Sequence, residues 1–410
     1  MSHRFASAGR PSGKAGERVA RRSSSDLITD KTAVAGIGQT AFGKGLADTE
    51  LSLACQAVSS ALDDAGIAPS EVDGVASYTM EPNREVDVAR NVGLGDITWF
   101  SQVGYGGGAG CGVVGQAAMA VATGQCRVAV AWRARKRADP TSRPWAQAQA
   151  RLADSQQWTR PFGVIRPVDE IALLTRRYMH EYGGTRDHLA NIALALRAHA
   201  ARNPASTMGH KPMTRADYMS ARWISEPLCL FDNCLETDGA LAVVVVTADR
   251  ARDLKQRPAY IHAFAQGLPP QHQTMTNYFT ADPLRGPAWT VARRMWEIAE
   301  VTPADVKVAQ LYDAFSPLII LSLEGYGFCA RGEGGPFTDD GGIEWPDGRL
   351  PVNTSGGGMS EAYVHGFNLV LEGVRQIRGT STAQVDGADV SLVTSGEGVP
   401  TSAMLFTKDG

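Results

Sequence analysis

The chain has 410 residues, 43% hydrophobic and 20% charged, a composition that supports folded domains but is too long for one small core, so two similar halves or two domains are expected. A formal net charge of −3 gives no basic field for a phosphate backbone, which argues against nucleic acid as a partner. The longest apolar run, 240–246, has strand length and falls far short of the roughly 18–20 residues of a membrane span, so a soluble protein is expected.

Residues 1–30 are rich in Ser, Gly, Arg and Lys and poor in aliphatic side chains, and they predict a disordered tail. A short strand follows at 33–38, ending in a glycine turn. Leu51, Ala54, Ala57, Val58, Ala61 and Leu62 recur at helical spacing and predict a helix over 50–65 that stops at Gly66. A strand is expected at 74–78, then a loop, then a glycine run at 104–112. This run opens a small-residue helix at 113–122 and leads to a strand at 128–132.

From 133 to 224 the text turns helical and polar, with helices at 170–182 and 188–202, as in an inserted domain. The all-apolar strand 240–247 reads as one covered on both faces. The second part repeats the plan: strand 259–263, helix 288–299, strand 308–311, a helix after Pro317, a glycine run at 356–358, a helix over 364–377, and strands at 390–394 and 402–406. A duplicated α/β unit is the simplest account, with halves at 31–255 and 256–410.

The glycine pair Gly36 and Gly38 lacks the third glycine of a dinucleotide fingerprint, and the run at 104–112 lacks the Lys-Ser/Thr of a P-loop. That run does offer close backbone approach and N–H groups at a helix start, which suit a thioester oxygen or the oxyanion it becomes; tight helix-to-sheet packing is the competing reading. The six cysteines, Cys55, Cys111, Cys126, Cys229, Cys234 and Cys329, form no Cys-x-x-Cys pair, and no histidine pair near Cys229 and Cys234 completes a zinc set. Buried thiols in a reducing cytoplasm are expected.

Five segments carry a resemblance: Pro161-Phe162-Gly163, the stretch 177–183 around Tyr178 and Tyr182, the stretch 234–240 with Cys234, Glu236 and Asp238, Tyr312-Asp313-Ala314-Phe315, and Asn353 through Gly358. On these, residues 33–406 are similar to the lipid-transfer branch of the thiolase superfamily, typified by the sterol carrier protein X thiolase. The resemblance implies a five-layer thiolase fold, two similar α/β halves with a helical loop domain inserted in the first. It also implies a homodimer.

The departures from that branch concern its chemistry. The nucleophilic cysteine of the family falls, by count from Ala122, Thr123 and Gly124, at Gly108, and Cys111 lies about one helical turn later. The histidine of the family's Gly-His-Pro segment is replaced by Tyr363, between Ala362 and Val364. The family's Asn-Glu-Ala-Phe or His-Asp-Cys-Phe segment becomes Tyr312-Asp313-Ala314-Phe315, and its final cysteine-x-glycine becomes Gly396-Glu397-Gly398. Condensation through a cysteinyl intermediate is therefore not expected.

The pattern resembles the steroid side-chain aldolases of actinobacteria, which lack the cysteine and carry the same Tyr-Asp-Ala-Phe and Glu-Ala-Tyr-x-His-Gly segments, here Glu361 to Gly366. This implies a retro-aldolase acting on a β-hydroxyacyl-CoA, with Tyr363 as base and Tyr312 as donor near the reacting oxygen. His365 and Asp313 tune the two phenols or simply pack, and backbone N–H groups near Gly108 and Gly398 hold the thioester enolate. No metal and no cofactor beyond the CoA thioester itself is implied. A small companion with a zinc ribbon and an OB-fold is implied by the same relatives. The rival readings are a catalytically silent acyl-CoA or sterol binder, and a condensing acyltransferase using Cys111.

Overall fold

The computed structural model describes residues 27–137, 157–272, 275 and 278–410. The expected tail lies outside the described residues up to residue 26, as does 138–156 of the expected insertion. In chain order the elements are β1 (Thr32–Gln39), α1 (Glu50–Ala65), β2 (Gly74–Tyr78), α2 (Glu85–Val92), β3 (Trp99–Val103), α3 (Gly110–Ala122) and β4 (Val128–Arg135). After these come α4 (Pro167–Tyr182), α5 (Arg186–Ala200), α6 (Arg215–Ser220), a hairpin of β5 (Trp223–Ser225) and β6 (Leu228–Cys229), β7 (Gly239–Thr247) and α7 (Ala248–Arg252). The remainder is β8 (Ala259–Gly267), α8 (Pro287–Ala299), β9 (Val308–Gln310), α9 (Ser316–Gly325), α10 (Phe367–Arg378), β10 (Val390–Ser395) and β11 (Thr401–Thr407).

The strands form one nine-stranded sheet in the order β3-β2-β4-β7-β1-β8-β11-β10-β9. Its two parts follow one rule. From β1 outward, β7 and β4 join antiparallel and β2 and β3 parallel; from β8 outward, β11 and β10 join antiparallel and β9 parallel. The second half thus repeats the first, one strand shorter. A short β1–β8 pairing at Ala33 and Val34 links them.

Helix α3 packs between the two parts, against β2, β4 and β7 on one side and β8, β10 and β11 on the other, with α10 beside it. Helix α1 covers the outer face of the first half and α8 that of the second, which completes five layers. Strand β7 shows why its text is wholly apolar. Ala240, Ala242, Val244 and Val246 face the α1 core while Leu241, Val243 and Val245 face the central core, so both faces of the pleat are covered. Gly36 and Gly38 admit α1 closely: a Cβ there would lie 2.1 Å from the Ala61 carbonyl and 2.2 Å from that of Ala57. The pair serves packing, not a dinucleotide.

The structure adds α2 and the edge strand β3 where the sequence predicts a loop. Helix α3 starts three residues before the expected 113, and α10 starts three residues after the expected 364. In both cases the glycine turn and its partners across the core set the helix start.

Candidate active site

Tyr312 follows the end of β9. Its N–H donates to Thr394 Oγ1 on β10 (3.0 Å), and the Leu311 N–H and C=O are both engaged by the Asn353 amide (2.7 and 2.8 Å). Tyr363 leaves a single π-turn, Gly357–Glu361, through the extended residue Ala362, and its N–H donates to Thr237 Oγ1 (3.1 Å). These two anchors bring together side chains 51 positions apart in sequence, with hydroxyl oxygens 2.5 Å apart.

Asp313 lies behind this pair. Its carboxylate accepts from the N–H groups of Gly358 (2.8 Å) and Met359 (3.2 Å) and so clamps the turn that delivers Tyr363. Gly357 permits the clamp, since it sits at φ +59 and a Cβ there would lie 2.2 Å from Asp313 Oδ2. Burial pushes the Asp313 carboxyl up to about 7, against the lowering effect of those N–H groups.

His365, at φ +53, sits between two guanidiniums. Arg133 presents Nε and Nη2 to its Nδ1, each at 3.2 Å, and Arg137 Nη2 lies 2.9 Å from its Nε2. Burial, followed by Arg133, Arg137 and Arg135, holds its pKa far below the ordinary histidine value, so the ring is neutral. Arg133 is itself paired with Glu81 at 2.8 Å, both side chains fully buried. Burial raises both phenols well above their ordinary range. Arg137 opposes the rise for both, whereas the hydrogen bond between them lowers Tyr363 and raises Tyr312, which favours Tyr363 as the one to ionise.

Both tyrosines and His365 line a cavity of about 1230 Å³, above the roughly 300–1,000 Å³ of ordinary small-molecule pockets. Its walls divide by chemistry. Phe42, Val168, Phe231, Leu318, Met359 and Val399 form apolar surface, whereas Lys44, Arg166, Arg197, Lys211 and Arg222 put cationic groups around the same space. Among the described residues, Glu236 is the one acidic residue lining it.

The first-half glycine run meets the cavity at Gly106 and Gly107. A Cβ at Gly107 would lie 1.8 Å from the Tyr312 hydroxyl, so this phenol fills the space a side chain there would take. Gly108, the counted nucleophile position, faces away: a Cβ there would lie 2.0 Å from the Pro400 carbonyl, and its N–H donates to the Tyr105 carbonyl (3.0 Å). An oxyanion-donor role thus does not suit Gly108, because the 3-10 turn at Gly106–Ala109 already uses that N–H. Gly398 does line the cavity, and its carbonyl accepts from the Met275 N–H.

Cys111 is fully buried, with its N–H bonded to Ser395 Oγ (2.7 Å), its thiol directed at the Val393 carbonyl, and a pKa pushed up to about 12 by burial. Cys234 is the cysteine that reaches the cavity, and burial pushes its thiol up to about 12 as well. Sequence reasoning missed Arg133, Arg137 and Glu81 altogether. The available signal was Arg133-x-Arg135-x-Arg137 closing an otherwise apolar strand, a pattern a buried strand tolerates only where its charges are matched.

Residues 271–406 match the family model described as thiolase C-terminal domain-like. The chain is 46% identical over 391 residues to 17-hydroxy-3-oxo-4-pregnene-20-carboxyl-CoA lyase of Mycobacterium tuberculosis, covering 93% of this chain and 100% of that one. It is 45% identical to the steroid side-chain-cleaving aldolase of Thermomonospora curvata over 93% of this chain and 99% of that one. Among solved structures, the Ltp2-ChsH2(DUF35) aldolase superposes with a TM-score of 0.89 at 44% identity, over 93% of this chain and 99% of that chain. The chain therefore belongs to the thiolase superfamily, in the branch of the steroid side-chain-cleaving aldolases.

Proposed function

We propose that this chain is a lyase that breaks the bond between the α and β carbons of a β-hydroxyacyl-CoA whose acyl part is a steroid side chain, releasing a ketone or aldehyde and a shorter acyl-CoA. The observation that carries the reading is the pair of touching phenols in a large two-natured cavity, at the turn where a condensing enzyme would need a cysteine. The apolar wall suits fused rings. The cationic residues suit the phosphates of CoA.

In the proposed sequence, Tyr363 reacts from its ionised form, stabilised by the hydrogen bond from Tyr312. It takes the proton of the β-hydroxyl. The α–β bond then breaks, its electron pair passing into the thioester as an enolate while the β carbon becomes a carbonyl. The α carbon finally takes a proton from the phenol pair, which restores the starting state with no net proton gained or lost. Tyr312 lies beside the reacting oxygen as donor. Asp313 positions Tyr363 through the Gly357–Glu361 turn, and His365 is a neutral spacer between arginines. Backbone near Gly398, with Gly106 and Gly107 in place of Gly108, faces the thioester oxygen. The thioester stabilises its own enolate, so the scheme needs no metal and no further cofactor.

We further propose a homodimer joined along the edge strand β3, where Phe100 is 71% exposed, working in the cytoplasm with a zinc-ribbon/OB-fold companion. The similar solved aldolase is titled with a second protein, which supports a companion. The test incubates the purified chain, with and without such a companion, with a steroidal β-hydroxyacyl-CoA and follows both products by mass spectrometry. Release of ketone and shorter acyl-CoA together is the expected result. Binding of the thioester without either product would overturn the reading in favour of a silent binder.

A further inference from the structure

We infer that Arg137 is the residue that holds negative charge on Tyr363, and so governs how readily this phenol accepts the substrate proton; the inference rests on the tyrosine-pair reading above. Arg137 lies two residues beyond β4, is 5% exposed and lines the cavity. Its guanidinium carbon stands 5.2 Å from the centre of the Tyr363 ring. A cation over an aromatic face is attracted to the neutral ring and more strongly to an ionised one.

Its position is fixed from two sides. The Arg137 N–H donates to Asp238 Oδ1 (2.5 Å), and the other oxygen of that carboxylate accepts from the N–H groups of Gly45 (2.7 Å) and Leu46 (3.1 Å). At the far end Arg137 Nη2 meets His365 Nε2 at 2.9 Å. A neutral imidazole has one acceptor nitrogen. Arg133 presents donors to Nδ1 and Arg137 to Nε2, so the tautomer decides which of them the ring accepts from, and the close contact keeps the Arg137 guanidinium beside the Tyr363 ring.

The other ionisable groups around the pair do not supply this charge. Arg133 is matched by Glu81, His365 is neutral, and Arg135 interacts with Glu50 and Glu81 and is not among the charges that act on either phenol. Cys234, Asp313, Tyr78, Glu236 and Glu361 are neutral or acidic and offer no cation to an ionised phenol. Arg137 is thus a positioning residue for charge, acting through Tyr363.

The sign is definite. A cation lowers the pKa of a phenol, so its removal raises that pKa and moves the rising limb of kcat/KM to higher pH. Arg137→Gln is expected to shift this limb up by at least about one unit, a roughly tenfold lower rate at any pH on the limb. Arg137→Lys, which keeps the charge, stays near wild type in limb position. A loss of equal size at every pH, or a change confined to KM, would overturn the inference. A readout independent of turnover uses tyrosine labelled with carbon-13 at Cζ, the Tyr363 resonance being the one absent from Tyr363→Phe. Its titration should move upward in Arg137→Gln and not in Arg137→Lys, and an unmoved resonance overturns the assignment whether or not the chain cleaves any β-hydroxyacyl-CoA.

Discussion

In the first half of the molecule the glycine run at 104–112 accepts atoms from elsewhere: the Tyr312 hydroxyl comes against Gly107, the Pro400 carbonyl against Gly108, Ser395 Oγ against Gly110. In the second half the run at 356–358 does the reverse, folding onto Asp313 and projecting Tyr363 into the cavity. Both runs open toward the same space. One has been emptied of side chains and the other delivers them. The difference teaches that the phenol pair belongs wholly to the second half, across the pseudo-symmetric core from the first-half helix start where the sequence count puts the family's nucleophile.

The most severe way to break that comparison is Tyr363→Phe, which keeps the ring and removes the hydroxyl. We expect kcat to fall by about a hundredfold to ten-thousandfold with little change in acyl-CoA affinity, because the group acts in the transition state. Steady-state kinetics and calorimetric binding on the same preparation check both halves of that statement. A near wild-type rate would return the active role to the first half.

Gly107→Ala attacks the comparison from the emptied side. The new Cβ would overlap the Tyr312 hydroxyl, so the phenol must shift away from Tyr363. The expected cost is about 1–3 kcal/mol of stability and a rate lowered by roughly tenfold or more. Gly104→Ala, in the same run, where a Cβ would meet only Thr79 Oγ1 at 3.8 Å and where, as at Gly107, the backbone is not left-handed, separates the steric effect from the general cost of replacing a glycine.

Glu397 sharpens the picture of the wall between the two runs. Its Oε2 accepts from the Ala288 N–H at the start of α8 (2.8 Å), its Oε1 is buried with no partner among the described residues, and burial pushes its pKa up to about 8. The folded state therefore binds this proton more tightly than the unfolded chain does. Stability contributed here is present below the unfolded value of about 4.5 and is lost as pH rises toward 8. Glu397→Gln should flatten that fall, gaining on the order of 1–3 kcal/mol over wild type at pH 8 relative to pH 5. Denaturant melts at the two pH values measure it, and an unchanged slope rejects the assignment.

Cys111→Ala should do least. With its thiol turned to the Val393 carbonyl in the central core, it is expected to keep most of its turnover and to lose about 1 kcal/mol or less of stability. A drop beyond about a hundredfold, near 2.7 kcal/mol of barrier, in a folded protein would reinstate the cysteine and undo the comparison.

Much of this was open to the sequence because its rules are local. The spacing of Leu51, Ala54, Ala57, Val58, Ala61 and Leu62 fixed α1 to the residue, Thr49 and Gly66 capping it. The uninterrupted apolar text of β7 announced a strand covered on both faces. The replacement of family side chains by Tyr312 and Tyr363 marked the changed chemistry, since a motif records which group stands at a position. Edge strand β3 escaped because its alternation, with Phe100 and Gln102 outward, reads as loop when no partner strand is known.

The tertiary structure alone decided distance and orientation. No spacing along the chain places the Tyr312 hydroxyl 2.5 Å from that of Tyr363, turns Gly108 toward Pro400 and leaves Gly107 facing the phenol, or sets Asp313 behind the pair instead of in the cavity. Arg137 reaches Tyr363 only because Asp238, about a hundred residues away in sequence, holds its backbone. Residue type is written once per position, and a periodic pattern reports which face is buried. A proton affinity depends on burial and on charges a few ångströms away, and those are sums over segments that meet only when the two halves close on each other.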